Sequence, residues 1–254
     1  MTTDDPDDGW FGESVAARYD SSDDDEFDPR TIARTVGVLA ELAGDGPALE
    51  LAVGTGRLAA PLAARGVPVC GIELSRAMAR RIAGKPGADG VQVTIGDMTT
   101  VRVPGEFSLA YLAFNTIGNL TTQDAQVACF VNAAVHLRPG GCFLVEVGVP
   151  DLRRLPPGQD TVPFRVETGA GGGYVGFDRY DVATQRLESV HVTVDDGVGR
   201  VLRVPFRYAW PTELDLMARI AGLRLRDRWS GWDRSPFTAE STSHVSVWEK
   251  PLDV

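Results

Sequence analysis

One segment constrains the fold of this 254-residue chain more than any other, Ala48-Leu-Glu-Leu-Ala-Val-Gly-Thr-Gly-Arg57. Its first half, residues 48–53, is a short apolar run typical of a buried parallel strand. Gly54 and Gly56 lack a Cβ, so the backbone there can turn sharply and approach a ligand closely. Residues 57–65 are rich in Leu and Ala and predict a helix, whose free N–H groups would face the same ligand. The segment predicts a strand–turn–helix unit that binds a ligand.

Two acidic residues follow at the ends of further apolar runs. Glu73 comes 19 residues after Gly54 and ends a second strand predicted over 67–72. At that spacing a carboxylate can accept hydrogen bonds from two ribose hydroxyls. Asp97 ends a third strand, predicted over 91–95, where an acid can accept a hydrogen bond from the exocyclic amine of adenine. Together these residues predict a cofactor that contains adenosine.

The glycine pattern alone leaves the class of cofactor open. The spacing Gly54-x-Gly56-x-x-Ala59 also fits the loose dinucleotide fingerprint, which matches by chance often enough to be weak. Glu50, however, lies inside the first strand, where a dinucleotide site usually has an apolar residue. Glu50 and Asp97 therefore count against a nicotinamide-dependent oxidoreductase.

Four segments together resemble the class I S-adenosylmethionine-dependent methyltransferases. They are Glu50-Leu-Ala-Val-Gly-Thr-Gly56, Gly71-Ile-Glu-Leu-Ser75, Gly96-Asp-Met98 and His136-Leu-Arg-Pro-Gly-Gly141. The resemblance implies that the Gly54 turn binds the methionine part of S-adenosylmethionine, Glu73 the ribose and Asp97 the adenine. The other cofactor-binding residues expected are Tyr19, Glu50, Ala52, Thr55, Gly56, Arg57, Leu74, Gly96, Met98, Ala113 and Phe114.

Two residues depart from the pattern of that family. Ala52 stands in place of the first glycine of the turn, and Ser108 stands where an Asp is common at the start of the fourth strand. Neither departure changes the prediction. Two alternatives are left open for Arg57. It pairs either with a carboxylate of the ligand (the cofactor or an acidic acceptor) or with a nearby acidic residue of the protein.

The order of predicted elements indicates an α/β fold. Strands and helices alternate along residues 29–150, which argues for a parallel sheet with helices on both faces. We expect a Rossmann-like, seven-stranded, mostly parallel sheet that ends in an antiparallel hairpin over 223–229 and 244–250. The remaining core elements predicted are helices 29–43, 75–83, 122–137 and 211–223 and strands 107–113 and 141–147.

Residues 151–210 break this alternation. Four antiparallel strands are predicted there, with turn signals at 171–173 and 195–197, over 162–167, 174–181, 186–194 and 200–208. We interpret 151–210 as a β cap inserted into a methyltransferase core formed by 29–150 and 211–254. A cap after the fifth strand also occurs in glycine and amino-sugar N-methyltransferases, which this layout resembles.

The charge of the chain is concentrated at its N-terminus. Residues 1–28 contain eleven acids and one base, whereas residues 29–254 contain 24 of each. Such a block is usually solvated and poorly ordered, so a solubilising tail is the simplest expectation. Residues 10–20 nevertheless predict a short helix with Trp10, Phe11, Val15 and Tyr19 largely on one face. By the resemblance Tyr19 is a lid residue over the cofactor; packing against the core is the alternative.

The composition of the chain limits the cellular compartments and the binding partners that we expect for the protein. No apolar run approaches the roughly 18–20 residues of a membrane span, and the N-terminus lacks the pattern of a signal peptide. Cys70, Cys129 and Cys142 lie in apolar contexts without metal-ligand spacing, which indicates reduced core thiols and a cytoplasmic protein without a metal. The absence of a basic stripe argues against nucleic acid as a partner. The oligomeric state is left open.

Residues on the acceptor side are expected at the carboxyl ends of strands four and five and on the cap. Asn115 is a candidate for positioning the acceptor, with turn capping as the alternative. Glu146 and His191 are candidate bases; a paired structural carboxylate and a solvent-facing or packed imidazole are their alternatives. Tyr19 completes the candidate catalytic residues.

The prediction is therefore an enzyme that transfers the methyl group of S-adenosylmethionine to a small-molecule acceptor. The transfer is an in-line displacement that positioning and desolvation can accelerate, with a base needed only if the acceptor must lose a proton. A non-catalytic S-adenosylmethionine-binding regulator, and less favourably the oxidoreductase, are the alternatives.

Overall fold

The computed structural model describes residues 8–20, 25–169 and 172–252 of the chain. Residues 1–7, 21–24, 170–171 and 253–254 lie outside the described part. The expectation of poor order in the acidic segment falls partly on these residues and stays a prediction.

Eleven strands and six α-helices are present in the described residues. The strands are β1 (Ala48–Leu51), β2 (Val69–Glu73), β3 (Val91–Ile95), β4 (Phe107–Leu112), β5 (Leu137–Gly148), β6 (Thr161–Gly169), β7 (Gly172–Asp181), β8 (Arg186–Asp195), β9 (Val198–Arg207), β10 (Arg224–Trp229) and β11 (Ser243–Glu249). The helices are α1 (Glu13–Tyr19), α2 (Pro29–Ala43), α3 (Ala59–Ala63), α4 (Arg76–Arg80), α5 (Gln123–His136) and α6 (Pro211–Ile220).

The larger sheet has seven strands in the order β10-β11-β5-β4-β1-β2-β3. The five consecutive strands from β5 to the β3 edge are parallel, and β11 runs antiparallel to both β5 and β10. This arrangement confirms the predicted Rossmann-like sheet with its terminal antiparallel hairpin.

Helices cover both faces of this sheet because the central strands are apolar on both sides. All six residues of β4 are buried; Ala110 and Leu112 face a core that includes α5 and α6. Leu109 and Tyr111 face the opposite core, which includes α2 and α3. Strands buried on both faces are typical of parallel sheets.

Several element boundaries differ from the expectations; α4 ends at Arg80 instead of residue 83, and α6 ends at Ile220 instead of residue 223. Three further differences have a local cause. Strand β1 ends at Leu51 because Ala52 adopts a positive φ of 55°, which leaves the extended region. Helix α3 begins only at Ala59, because Gly56 also has a positive φ, of 76°. Strand β5 begins at Leu137, directly after α5, because Leu137 is buried and pairs with Phe107.

A second sheet, of four antiparallel strands in the order β6-β7-β8-β9, follows β5 along the chain. This confirms the predicted antiparallel β cap. Arg207, at the end of β9, joins the cap to the core because its buried guanidinium donates to Gln126 Oε1 at 2.6 Å and to Glu213 Oε1 at 2.7 Å. Within the described residues, none of the helices has the length and apolar character that a membrane crossing requires.

Candidate active site

The candidate site lies where the strand order of the large sheet reverses. Strand β1 pairs with β2 on one side and with β4 on the other, so the segments after β1 and β4 leave the sheet side by side. Ligands of open α/β sheets bind at such a point, outside the carboxyl ends of the strands. A cleft at this place is lined by Tyr19, Glu50, Ala52, Val53, Gly54, Thr55, Arg57, Leu58, Ala113, Phe114 and Thr116.

Most of the cleft lining was expected from the sequence. The structure brings eight of the predicted cofactor-binding residues together there: Tyr19, Glu50, Ala52, Gly54, Thr55, Arg57, Ala113 and Phe114. Gly56, Glu73, Leu74, Gly96, Asp97 and Met98 flank this lining or lie further along the edge of the sheet.

The turn after β1 is built from residues with positive φ. Ala52, Gly54 and Gly56 have φ values of 55°, 58° and 76°. Gly54 and Gly56 adopt such angles without strain, and at Gly56 a Cβ would also lie only 3.0 Å from the side chain of Ile82. Ala52 occupies the left-handed region despite its Cβ, which explains why the related family favours glycine at this position.

Glu73 connects this turn to the end of β2. One carboxylate oxygen accepts a hydrogen bond from Gly54 N at 2.7 Å, and the other accepts from Ser75 N at 2.9 Å. Burial raises the pKa of Glu73, and these two backbone hydrogen bonds oppose the shift. Each carboxylate oxygen keeps a free acceptor site, so the two hydroxyl donors of a ribose diol fit this pair of acceptors.

Asp97 lies one strand further along the same edge. Ile95 pairs with Glu73 across β2 and β3, and Asp97 follows Ile95 by two residues. Its carboxylate is exposed and accepts a hydrogen bond from Thr99 N at 2.7 Å, which leaves acceptor capacity for an adenine amine. Met98, by contrast, packs into the core between sheet and helices.

Glu50 and Arg57 set the charge at the base of the cleft. Glu50 is buried and accepts a hydrogen bond from Tyr111 Oη at 3.0 Å. Burial raises the pKa of Glu50 to about 8, although the Tyr111 hydrogen bond and the charge of Arg57 act in the opposite direction. Arg57 lies over the rings of Phe27 and Phe114, at 5.2 and 5.5 Å, and donates to the carbonyl oxygen of Glu26 at 2.6 Å.

The segment after β4 is held in an unusual backbone conformation. Phe114 and Asn115 both have positive φ, of 57° and 60°, which is uncommon for residues other than glycine. Glu146 supports Phe114 because one of its carboxylate oxygens accepts from Phe114 N at 2.9 Å and the other from Trp232 Nε1. Asn115 Oδ1 accepts from Gly148 N at 2.6 Å.

These contacts bear on the predicted roles of Glu146 and Asn115. Neither side chain lines the cleft; each instead fixes the backbone that carries Phe114. Burial raises the pKa of Glu146, and the hydrogen bonds from Phe114 and Trp232 oppose it. The geometry thus favours the structural alternative for both residues, and their assignment to the acceptor side stays a prediction.

The N-terminal segment packs beside the cleft. Tyr19 lines the cleft and contacts the rings of Phe11 and Phe27 edge-on, at 6.2 and 5.5 Å. Burial raises the pKa of Tyr19 to about 12, so its phenol is neutral near pH 7. Helix α1 begins only at Glu13 and Trp10 is 55% exposed, so the expected packing of Trp10 along its apolar face was wrong.

Some residues of the site escaped the sequence analysis. Phe27 contacts Tyr19 and Phe114 and lies under Arg57, but it is embedded in an acidic run that resembled a tail. The signal that could have identified Phe27 is the presence of an aromatic residue within this acidic run. His191 lies on β8 of the cap beside Tyr174 and is not among the residues that line the cleft.

Known proteins resemble this chain over the core and over nearly its whole length. A family described as a methyltransferase domain matches residues 48–141. The CcbJ methyltransferase from Streptomyces caelestis is 34% identical; the match covers 96% of this chain and 99% of that one, with a TM-score of 0.86.

Two further relatives are more distant. The cypemycin N-terminal methyltransferase of a Streptomyces species is 24% identical over 216 residues, which cover 80% of this chain and 82% of that protein. CalS10, an amino pentose methyltransferase from Micromonospora echinaspora solved with S-adenosylmethionine bound, shares the fold. Its TM-score is 0.65 at 19% identity, over 93% of this chain and 96% of that one.

Proposed function

We propose that this chain, which belongs to the class I S-adenosylmethionine-dependent methyltransferases, methylates an amino group of a small molecule. Membership of this family establishes the cofactor and the class of reaction. The proposal adds the chemical nature of the acceptor. The observation that carries the methyl transfer is the glycine turn tied to buried Glu73 beside the open carboxyl end of β4, and the relatives carry the choice of an amine.

We assign the parts of the cofactor to particular residues. Glu73 would accept hydrogen bonds from the ribose hydroxyls, Asp97 from the adenine amine, and the turn at Gly54 would hold the methionine part, with Arg57 near its carboxylate. When bound, S-adenosylmethionine supplies a methyl group on a positively charged sulfur.

The chain contributes position and environment. The rings of Tyr19, Phe27 and Phe114 form an apolar wall, and aromatic faces of this kind favour a positively charged ligand. Glu146 holds the backbone of Phe114, so the wall is preformed. Exclusion of water by these rings favours displacement by the acceptor over hydrolysis.

The relatives favour an amine as the acceptor. One is named for methylating an N-terminus and another for acting on an amino pentose, which carries an amino group. An amine that has lost its proton in solution attacks without a protein base, in line with a cleft whose buried acid, Glu50, already accepts a hydrogen bond from Tyr111. We extend the proposal to an enzyme of the cytoplasm that does not act on nucleic acid.

A matched panel of acceptors tests this proposal. The purified protein is incubated with S-adenosylmethionine and with pairs of compounds, such as an amino sugar and its hydroxyl counterpart, or a peptide with a free and an acetylated N-terminus. We expect release of S-adenosylhomocysteine and a mass gain of one methyl group only with amines. Methylation of the hydroxyl compounds, or of no amine in a broad panel, would contradict it.

A further inference from the structure

Helix α5 carries a buried asparagine on the face that lies against the loop after β3. Asn132 is fully buried, and its side-chain nitrogen donates to the carbonyl oxygens of Met98 and Val101, at 2.6 and 3.0 Å. Both partners are acceptors, so the amide nitrogen and not the amide oxygen must point at them. The side chain of Asn132 therefore joins α5 to two backbone groups of a single loop.

The amide of Asn132 is costly to bury, which indicates what it contributes. Asn is a weaker helix former than Leu or Met, and the side-chain oxygen of Asn132 is buried without a hydrogen-bond partner among the described residues. An apolar side chain would avoid both costs. It would, however, leave the carbonyl oxygens of Met98 and Val101 without the donor that they have within the described part of the chain.

These two carbonyl groups belong to the turn that orients Asp97. The carboxylate of Asp97 accepts from Thr99 N at 2.7 Å, and its backbone carbonyl oxygen accepts from Thr100 N and Val101 N at 3.1 and 2.9 Å. The turn folds back on Gly96, because a Cβ there would lie 2.4 Å from the Val101 side chain. The turn is thus a closed unit, and the direction of the Asp97 carboxylate depends on how this unit is attached to the rest of the protein.

His136, one helical turn after Asn132, holds the far end of the same loop. Its Nε2 accepts from Val103 N at 3.0 Å, so the proton of the neutral ring lies on Nδ1, which donates to the carbonyl oxygen of Asn132 at 2.8 Å. Burial lowers the pKa of His136, in agreement with a neutral ring. Two side chains of α5 therefore fix loop 97–103 from the inside of the protein, whereas the Asp97 side chain is exposed.

We propose that Asn132 is a positioning residue for the cofactor: it holds the turn at Asp97 so that the carboxylate faces the exocyclic amine of adenine. A hydrogen bond depends on direction, so a turn released from α5 would present the carboxylate in many orientations and lose most of that bond. The inference rests on the assignment of Asp97 to adenine in the proposed function. It extends that assignment to a residue buried beneath the site.

Gln126 provides a matched control on the same helix. It is as fully buried as Asn132, and its side-chain nitrogen donates to the carbonyl oxygens of Ile117 and Arg207, at 3.1 and 3.0 Å. These groups lie after β4 and at the end of β9, not in the loop after β3. Gln126→Leu and Asn132→Leu therefore remove the same kind of buried interaction from α5, and the turn at Asp97 loses its support only in the second variant.

The preference for the base of the cofactor reports the position of Asp97 without turnover. Calorimetry measures the affinity of the purified protein for S-adenosylhomocysteine and for S-inosylhomocysteine, which has an oxygen in place of the adenine amine. The ratio of the two dissociation constants does not change when a variant weakens both ligands equally. In the wild type we expect a preference for S-adenosylhomocysteine of about tenfold or more.

In Asn132→Leu we expect the affinity for S-adenosylhomocysteine to fall about tenfold, while the affinity for S-inosylhomocysteine changes by less than about threefold. Gln126→Leu is expected to keep the preference of the wild type. Asn132→Ser, which keeps one donor, is expected to lose part of the preference and replaces the leucine variant if that protein does not fold.

Asp97→Ala separates the inference from the assignment on which it rests. If Asp97→Ala loses the preference and the folded Asn132 variant keeps it, the positioning role is overturned and the assignment of Asp97 stands. A preference that survives in Asp97→Ala, or none in the wild type, contradicts both. Equal losses in Gln126→Leu and Asn132→Leu overturn the inference, because a general loosening of α5 would explain them. None of these results depends on which acceptor the protein methylates.

Discussion

Glu73 is the residue on which the cofactor assignment depends most directly. Its carboxylate ends β2 and, through Gly54 N, fixes the turn that follows β1. A buried acid with both oxygens on backbone donors has little freedom to move, so a ribose diol would meet a preformed acceptor pair.

We predict that Glu73→Ala binds S-adenosylmethionine at least about tenfold more weakly, because charged hydrogen bonds and the support of Gly54 are lost together. Equilibrium dialysis with labelled cofactor measures the change. Glu106→Gln, which removes an exposed acid, is the matched control. Undiminished binding by Glu73→Ala would refute the ribose assignment.

Variants of Glu146 and of its partner Trp232 distinguish two roles for Glu146, that of a general base and that of a positioning residue. In Glu146→Gln the amide would place an N–H against either Phe114 N or Trp232 Nε1, so one hydrogen bond is lost and the left-handed Phe114 loosens. We predict that turnover falls by up to about 100-fold. The affinity for S-adenosylhomocysteine stays close to that of the wild type.

Trp232→Phe provides the decisive comparison, because it removes one of the two hydrogen bonds to Glu146 without altering the acid. A positioning role predicts that Trp232→Phe also lowers turnover and that neither variant loses a limb of the pH–rate profile. Full activity in Trp232→Phe, with loss of a limb in Glu146→Gln, would identify Glu146 as a base.

At the scale of elements, the N-terminal segment acts as a side wall of the site. Asp20 accepts a hydrogen bond from Thr55 Oγ1 and pairs with Lys85. Glu13 pairs with Arg80, the last residue of α4, and with Arg81 directly after it. These contacts hold α1 against the carboxyl edge of the sheet.

We predict that Phe27→Ala weakens cofactor binding about tenfold, because ring contacts with Tyr19 and Phe114 and the stacking of Arg57 disappear. The rise in melting temperature that saturating S-adenosylhomocysteine causes should shrink accordingly. Trp10→Ala removes an exposed aromatic residue of the same segment and serves as the control. An equal thermal response in both variants would show that Phe27 does not form a wall of the site.

The elements also show which parts of the structure could be predicted from the sequence. The glycine turn, Glu73 and Asp97 were predictable because short-range spacing along strand–turn–helix units determines where these residues emerge. The partnership of Glu146 with Trp232 was not, since the two are 86 residues apart and meet only through the tertiary fold. The contact between Tyr174 and His191 in the cap was unpredictable for the same reason, because the two side chains meet only through the register of β7 and β8.

At the scale of the molecule, three carboxyl groups with raised pKa values link stability to pH: Glu50 and Glu73, which are buried, and Glu146, which is half-buried. Burial raises the pKa of Glu50 from 4.5 to about 8 and also raises the pKa values of Glu73 and Glu146. Above pH 4.5 the unfolded chain releases these protons while the folded protein retains them. The free energy of unfolding contributed by each group therefore falls as the pH rises toward its folded pKa.

We predict that Glu50→Gln gains stability relative to the wild type as the pH rises from about 5 to 8, by at most about 1.4 kcal/mol per pH unit. Urea denaturation at several pH values measures this difference. Buried His136 and His244, whose pKa values are lowered, give the opposite slope below pH 6.5 in both proteins and cancel in the comparison. A stability difference that does not change with pH would contradict the raised pKa of Glu50.

The central claim is that the cleft between β1 and β4 binds the adenosine and methionine parts of one cofactor. Calorimetric titration with S-adenosylhomocysteine, with NAD titrated in parallel, tests it most directly. The account predicts a dissociation constant of about 1 μM, near −8 kcal/mol, for S-adenosylhomocysteine and no binding of NAD. Binding of NAD without binding of S-adenosylhomocysteine would contradict it.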